Sequence, residues 1–163
     1  MIENHRLRDM ALELINCQST MSLATARENR AWAAPVYYVY FKSGFYFFSS
    51  PDSRHIKEAM ECEEVSAAIY PAVSSWQEIK GIQMSGSTSR AGLGFAAVGA
   101  LRAYNSKYPF TREFFKAGEV LDLENFEKRF KVRFYRFDPS LVYYLDNGIK
   151  FGFRAEVLLA PGT

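Results

Sequence analysis

Histidine and cysteine are scarce in this sequence, with two of each in 163 residues. Cys17 and Cys62 are too few for a disulfide framework and form no Cys-x-x-Cys or Cys/His spacing for zinc, so both read as buried, reduced thiols. With only His5 and His55 to serve as bases, and no G-x-S-x-G element, acyl-transfer catalysis has no footing. No charge of one sign dominates either. Twenty Lys+Arg against eighteen Asp+Glu leaves a formal charge of +2, which demands neither nucleic acid nor an acidic membrane, so any anion site must be local. No apolar run approaches the roughly 20 residues of a membrane span. The opening MIENHRLRDMALELINCQ lacks the uninterrupted apolar core of a signal peptide, and a soluble, cytoplasmic protein with no membrane partner is expected.

What the chain has in quantity is aromatic and aliphatic surface. Hydrophobic residues make up 48% and aromatic residues 16% of the composition, enough for a substantial core in one domain spanning residues 1–163. No repeat, low-complexity tract or linker divides it.

The apolar period changes along the chain. Leu7, Ala11, Leu14 and Ile15 form a helical stripe, whereas TMSLATA, WAAPVYYVYF and FYFFSS read as strands joined by the turns RENR and KSG. A helix ending near Glu61 follows, then the strand VSAAIY and a long strand IKGIQMSGSTS, whose Gly81 and Gly86 suit bulges. From Leu93 the pattern is helical through FAAVGALRAYNSKY, TREFFKA and LENFEKRF. Two last strands, KVRFYRF and LVYYLDN, are expected, punctuated by Pro139 and Asn147-Gly148. The fold class is mainly β (α+β): an antiparallel barrel with peripheral helices.

One stretch poses a question. SSPDSRHIKEAM is a helix start, with Pro51 suited to the first turn, Asp52 or Ser53 placed to cap, and an apolar stripe opening at Ile56 and Met60. Yet Arg54, His55 and Lys57 crowd the opening turn, where the helix dipole disfavours cations by roughly 0.3 to 1 kcal/mol each. A bound anion would account for them. The alternative is a solvated helix face in which Arg54 pairs with Glu58 and Lys57 with Glu61.

The succession APVYYVYFKSGFYFFSSPDSRHIKEAMECEEVSAAIY, then IKGIQMSG, AYNSKYPFTREF and YYLDNGIKFGFR, resembles the FMN-binding split barrel of the pyridoxamine 5'-phosphate oxidase-like superfamily, in a small bacterial branch. The resemblance runs from about Met21 to Arg154 and implies that the anion is the phosphate of FMN. By position, Ser49, Ser50 and Ser53 offer hydroxyls, Arg54 offers a bidentate fork, His55 stands where many members carry lysine, and Lys57 lies one turn on. The resemblance also implies that the strand carrying Ala34, Pro35, Val36 and Tyr37 lines the flavin ring with its backbone. Val36 and Tyr37 are then the nearest side chains, and Pro35, which cannot donate to a ladder, marks an edge or opening. Gln83 first and Lys80 second are expected at the pyrimidine edge, and Phe151, Gly152 and Arg154 of a second subunit would close over the ring in a homodimer.

Pyridoxamine 5'-phosphate oxidases carry a C-terminal Arg-x-His element, and haem-degrading relatives a C-terminal histidine. This chain has no histidine after His55, so neither activity is expected. What the resemblance implies is an FMN-dependent oxidoreductase, with electrons from a reduced nicotinamide or another small organic donor. Two alternatives stand beside it. One is a flavin-holding sensor or store, and the other a barrel that stacks single-stranded nucleic acid on the aromatics of KRFKVRFYRF.

Overall fold

The computed structural model describes residues 3–92 and 94–159. Seven strands are present: β1 (Thr20–Arg27), β2 (Arg30–Phe41), β3 (Gly44–Ser49), β4 (Val65–Ile69), β5 (Lys80–Arg90), β6 (Arg133–Asp146) and β7 (Arg154–Glu156). The helices are α1 (Asn4–Cys17), α2 (Arg54–Glu61), α3 (Phe95–Lys107) and α4 (Leu123–Phe130), with short 3-10 segments at Trp76–Glu78 and Pro109–Phe114. The strands run in the order β3-β2-β1-β4-β5-β6-β7, and β3 also pairs with β6, so six strands close into an antiparallel ring with β7 beside β6.

Strand alternation decides what enters the ring. Met21, Leu23, Val36, Tyr38, Phe45, Phe47, Ala67, Ile82, Met84, Phe137 and Tyr144 point inward, and α1 adds Leu7, Ala11, Leu14 and Ile15, the stripe read from the sequence. Tyr38 reaches across the core to donate its hydroxyl to the carbonyl of Ile15 at 2.5 Å. A second core lies outside the ring, where Ala97, Ala100, Leu101 and Tyr104 of α3, with Tyr108 just after it, cover Val39, Tyr46 and Phe134. The Tyr108 hydroxyl sits 2.6 Å from the carbonyls of both Ser19 and Tyr38, tying the end of α3 to the strands beneath.

Several expectations change. The two C-terminal strands are one strand of 14 residues, because Pro139 does not end it. Pro139 lies opposite Gly86, where the β5–β6 register shifts, and a bulge tolerates a residue that cannot donate to the ladder. The segment TREFFKA is a 3-10 turn over Pro109–Phe114, and α3 begins at Phe95; Leu93, where the sequence pattern starts it, lies outside the described residues. Ser53 is the residue before α2, but its side chain makes no capping bond. Cys17 is exposed and Cys62 only partly covered, so neither is a buried thiol. Tyr38, Phe45, Phe47 and Tyr46 are enclosed by the chain itself, whereas Tyr37 on β2 is half exposed. In KRFKVRFYRF, Phe134, Tyr135 and Phe137 are likewise buried, so those rings offer no stacking surface.

A Cβ placed on Gly86 would run into the Asp138 carbonyl, a backbone atom that cannot swing aside, whereas one on Gly92 meets nothing within 4 Å. Gly86→Ala is therefore expected to destabilise the fold by about 1–3 kcal/mol, and Gly92→Ala by less than about 0.5 kcal/mol. Urea unfolding of the two variants checks this, and equal midpoints would remove the bulge as a constraint.

Candidate functional site

The β2–β3 ladder pairs Tyr38–Phe41 with Phe47–Gly44. Two rungs further the same register would set Val36 beside Ser49, but the pairing has ended and the strands part. The first half of β2 then pairs with β1 alone, from Arg30 to Tyr37. Pro35 lies in this half, where a missing N–H costs no ladder bond on the open side. Ala34 and Val36 turn their side chains into the core, leaving only their backbone near the opening, and Pro35 and Tyr37 face outward. Val36 is thus corrected as a side-chain contact to any ring outside the barrel. Tyr37 is half exposed and packs edge-on against Tyr108, with ring centroids 5.3 Å apart.

Across the opening the chain leaves β3 at Ser49 and turns into α2. Ser50 shapes the turn: its carbonyl accepts from the Ser53 amide at 3.1 Å and from the Ser53 hydroxyl at 2.7 Å. That fold-back gathers Ser49, Ser53 and His55. Ser49 Oγ lies 2.7 Å from His55 Nε2, and Ser53 Oγ lies 3.4 Å from both. The three side chains are half-buried. Burial pulls the His55 imidazole below its ordinary value, so it is neutral at pH 7. The first amides of α2 have no partner within the helix, and no side chain caps them.

Arg54 and Lys57 stand apart in quality. Arg54 donates Nε to Glu58 Oε1 at 2.7 Å and lies 4.7 Å over the Trp32 ring. Glu58 is buried and also accepts from Thr25 Oγ1 at 2.5 Å. The Thr25 hydroxyl, with Arg54, holds the Glu58 carboxyl below the usual carboxylate range. Lys57 is exposed and pairs with Asp52 at 3.7 Å, while Glu61 pairs with Arg27. Of the two helix-face pairs read from the sequence, Arg54–Glu58 forms; Glu61 is instead paired with Arg27 on β1.

A pocket of about 410 Å³ lies on the outer wall and is lined by Ser22, Ala68, Gln83, Ser85, Tyr143 and Arg154, among others. The register explains its flat floor. One rung runs Pro35, Ser22, Ala68, Gln83, Tyr143 across five strands, and its neighbours carry Ala24, Ser66 and Ser85. Small side chains on three adjacent strands let a flat body approach the sheet closely. Arg154, on β7 of the same chain, lies 4.0 Å over the Tyr143 ring and completes one wall. Gln83 shares this outer face with Gly81 and Ser85, whereas Lys80 alternates with the inward Ile82 and Met84, so Lys80 and Gln83 cannot face one planar ligand together.

The sequence reading missed Thr25, Trp32, Ser22, Ser66, Ala68, Ser85 and Tyr143. The signal for the floor was the serine and alanine on alternate positions of TMSLATA and VSAAIY, but only the register puts them side by side.

No family model and no curated protein matches the sequence. Solved structures do match in shape. An FAD-binding protein from Mesorhizobium loti aligns with a TM-score of 0.60 at 16% identity, over 82% of this chain and 89% of its own. The haem storage protein of Vibrio cholerae aligns at 0.65 and 13% identity, over 82% and 90%. A proposed pyridoxamine 5'-phosphate oxidase from Listeria innocua aligns at 0.62 and 12% identity, over 85% and 98%. The fold is the split barrel of the pyridoxamine 5'-phosphate oxidase-like proteins. The parting of β2 from β3 opens a split in this ring, and Ser49, at the end of β3, sets the serine–histidine cluster at its mouth. Among the described residues no group of three His, Cys, Asp or Glu side chains could hold a metal ion, and no helix is long and apolar enough to cross a membrane.

Because the folded pKa of His55 lies below the ordinary 6.5, the native state disfavours its protonation. Its contribution to stability is complete above about pH 6.5 and is lost as pH falls through the lower folded value. The Glu58 carboxyl, held low by Thr25 and Arg54, is present in wild type and in His55→Gln alike and cancels in their comparison. Between pH 7.5 and 5, the urea midpoint of wild type should fall more steeply than that of His55→Gln. Parallel pH profiles would mean the imidazole is not desolvated.

Proposed function

We propose that the protein binds FMN, with the phosphate at the start of α2 and the ring along the β2 edge towards the outer pocket, and that it acts as an FMN-dependent oxidoreductase on a small molecule. The observation that carries this reading is the cluster of Ser49, Ser53 and His55 beside uncapped helix amides and Arg54, at the mouth of the split. Hydroxyls, free backbone N–H groups, an imidazole and a guanidinium are the donor set of a phosphate site. A neutral histidine contributes one hydrogen bond, and a phosphate dianion beside it would draw its pKa upward. Lys57, exposed and already paired, offers at most long-range attraction.

The spacing suits a flavin. Pro35 and Gln83 are three strand spacings apart on one rung, roughly 14 Å, which a tricyclic ring and its sugar-alcohol chain can span. Backbone groups of the unpaired β2 edge at Ala34–Tyr37 are available to ring carbonyls and nitrogens. Gln83 offers an amide donor to the pyrimidine edge, and the serines of the floor offer hydroxyls without blocking the ring. When bound, FMN supplies reversible two-electron transfer. The chain's part is to hold the phosphate, seat the ring on a dry floor, and leave one face for a reduced nicotinamide or similar donor.

We further propose that the working unit is a homodimer. The exposed large hydrophobic residues include Tyr70, Trp76, Ile79 and Phe151, each between 47% and 73% exposed, in the segments that flank β5 and β7. Trp76 and Phe151 already touch edge-on at 5.5 Å. Such a patch marks an interaction surface, and a second copy laid on it would wall the open side of the pocket. Sedimentation of FMN-loaded protein should show a dimer; a monomer that binds FMN tightly would contradict the arrangement.

FMN titration of the purified protein, followed by quenching of flavin fluorescence, tests the central reading. Arg54→Ala should weaken binding by about 1.5–3 kcal/mol, the worth of a hydrogen bond to a charged group, and Lys57→Ala by less than about 1 kcal/mol. Wild-type affinity in both variants would sink the phosphate assignment, and no quenching by wild type would sink the flavin reading.

A further inference from the structure

Glu58 is an odd residue to find under α2. It is 6% exposed, on the face of the helix that packs against the barrel beside Ile56 and Ala59. A carboxylate there loses its hydration, and a well-packed apolar side chain of the same volume would fill the place at less cost. Packing therefore does not explain it. Its bonds do. One oxygen accepts from Thr25 on β1, and the other accepts from Arg54 Nε at 2.7 Å. Trp32, the β2 partner of Thr25, lies against the guanidinium at 4.7 Å from its centre. Arg54 is thus gripped at Nε and on one ring face, while its two terminal amino groups have no hydrogen-bond partner among the described residues.

We propose that Glu58 is a positioning residue for the phosphate subsite: anchored by Thr25, it fixes Arg54 through Nε so that the terminal amino groups are presented as a preset fork. This deepens the FMN reading and rests on it. An arginine left to sample its rotamers must be ordered when the ligand arrives, and that ordering subtracts from affinity. Here the ordering is done in the fold, through a strand hydroxyl, a buried carboxylate and an indole. Because the effect passes through Arg54 to a phosphate, it has a signature that a purely structural role lacks. It must vanish when either the phosphate or Arg54 is removed.

The experiment measures affinities for FMN and for riboflavin, which has no phosphate, in wild type, Glu58→Met, Glu58→Gln, Arg54→Ala and the double variant Arg54→Ala/Glu58→Met. Circular dichroism and urea midpoints confirm that each is folded. Glu58→Met should bind FMN about tenfold more weakly with riboflavin affinity unchanged, and Glu58→Gln, which keeps an acceptor for Nε, should recover most of the loss. In the Arg54→Ala background Glu58→Met should have no further effect, the mark of two residues acting as one unit. Hydrogen exchange at Arg54 Nε, read by nitrogen NMR without ligand, should be slow in wild type and fast in Glu58→Met. Equal weakening of FMN and riboflavin, additive losses in the double variant, or an unchanged preference for FMN in Glu58→Met would each overturn the proposal. If wild type binds neither flavin, the FMN reading itself fails. If wild type prefers FMN and Glu58→Met does so equally, only the positioning role fails.

Discussion

One strand holds the barrel shut. β6 pairs with β3 through Arg133–Phe137 and with β5 from Tyr135 to Asp146, so residues 135 to 137 are bonded on both sides. A ring closed at that point spares six strands the exposed edges of an open sheet, yet it must open elsewhere for a ligand to reach backbone. The opening falls between β2 and β3, whose ladder stops at Tyr38 and Phe47. The bulge at Gly86 and Pro139 belongs to the same constraint, since a strand that serves two partners has to bend between them. Core, split and outer floor all follow from where β6 is paired.

The chemistry at the split follows from a shortage of internal partners. β3 ends at Ser49, which pairs with Arg133 on β6 but has no partner on the β2 side, and α2 starts without a side-chain cap. Folded proteins seldom leave a set of donors half-satisfied in a partly covered place. Ser49, Ser53 and His55 satisfy one another only in part, through one contact of 2.7 Å and two of 3.4 Å. An anion would complete the set. Arg54 differs from them, because a buried carboxylate holds it whether or not a ligand is present.

Much of this was legible in the sequence, and the reasons differ by element. The α1 stripe, the β1–β2–β3 meander and the helix after Ser53 are local patterns, set by period and turn residues, and they appear where read. The cations crowding the first turn of α2 were legible because they contradict the helix dipole. What escaped was everything set by register. Pro139 looked like a strand end, since one sequence cannot show that Gly86 lies across from it. Ser22, Ala68 and Gln83 are far apart in the chain and meet only through pairing. The Arg54–Glu58 spacing was read as an ordinary exposed pair; nothing local shows that Glu58 faces inward to Thr25, 33 residues earlier.

Proteins of this shape include an FAD-binding protein and a haem storage protein. A sheet of small side chains recognises planarity and little else, so selectivity must come from the rim. Haem asks the rim for an axial ligand to iron and partners for two carboxylates. Flavin asks for donors to a phosphate and to the polar edge of the ring. In this chain His5 sits on the exposed face of α1 beside Glu3 at 3.4 Å, and His55 is engaged with Ser49 at the mouth of the split. Neither is on the floor. The groups that do surround the floor and the split are hydroxyls, an amide, the His55 imidazole and two arginines, a donor set suited to oxyanions and carbonyls.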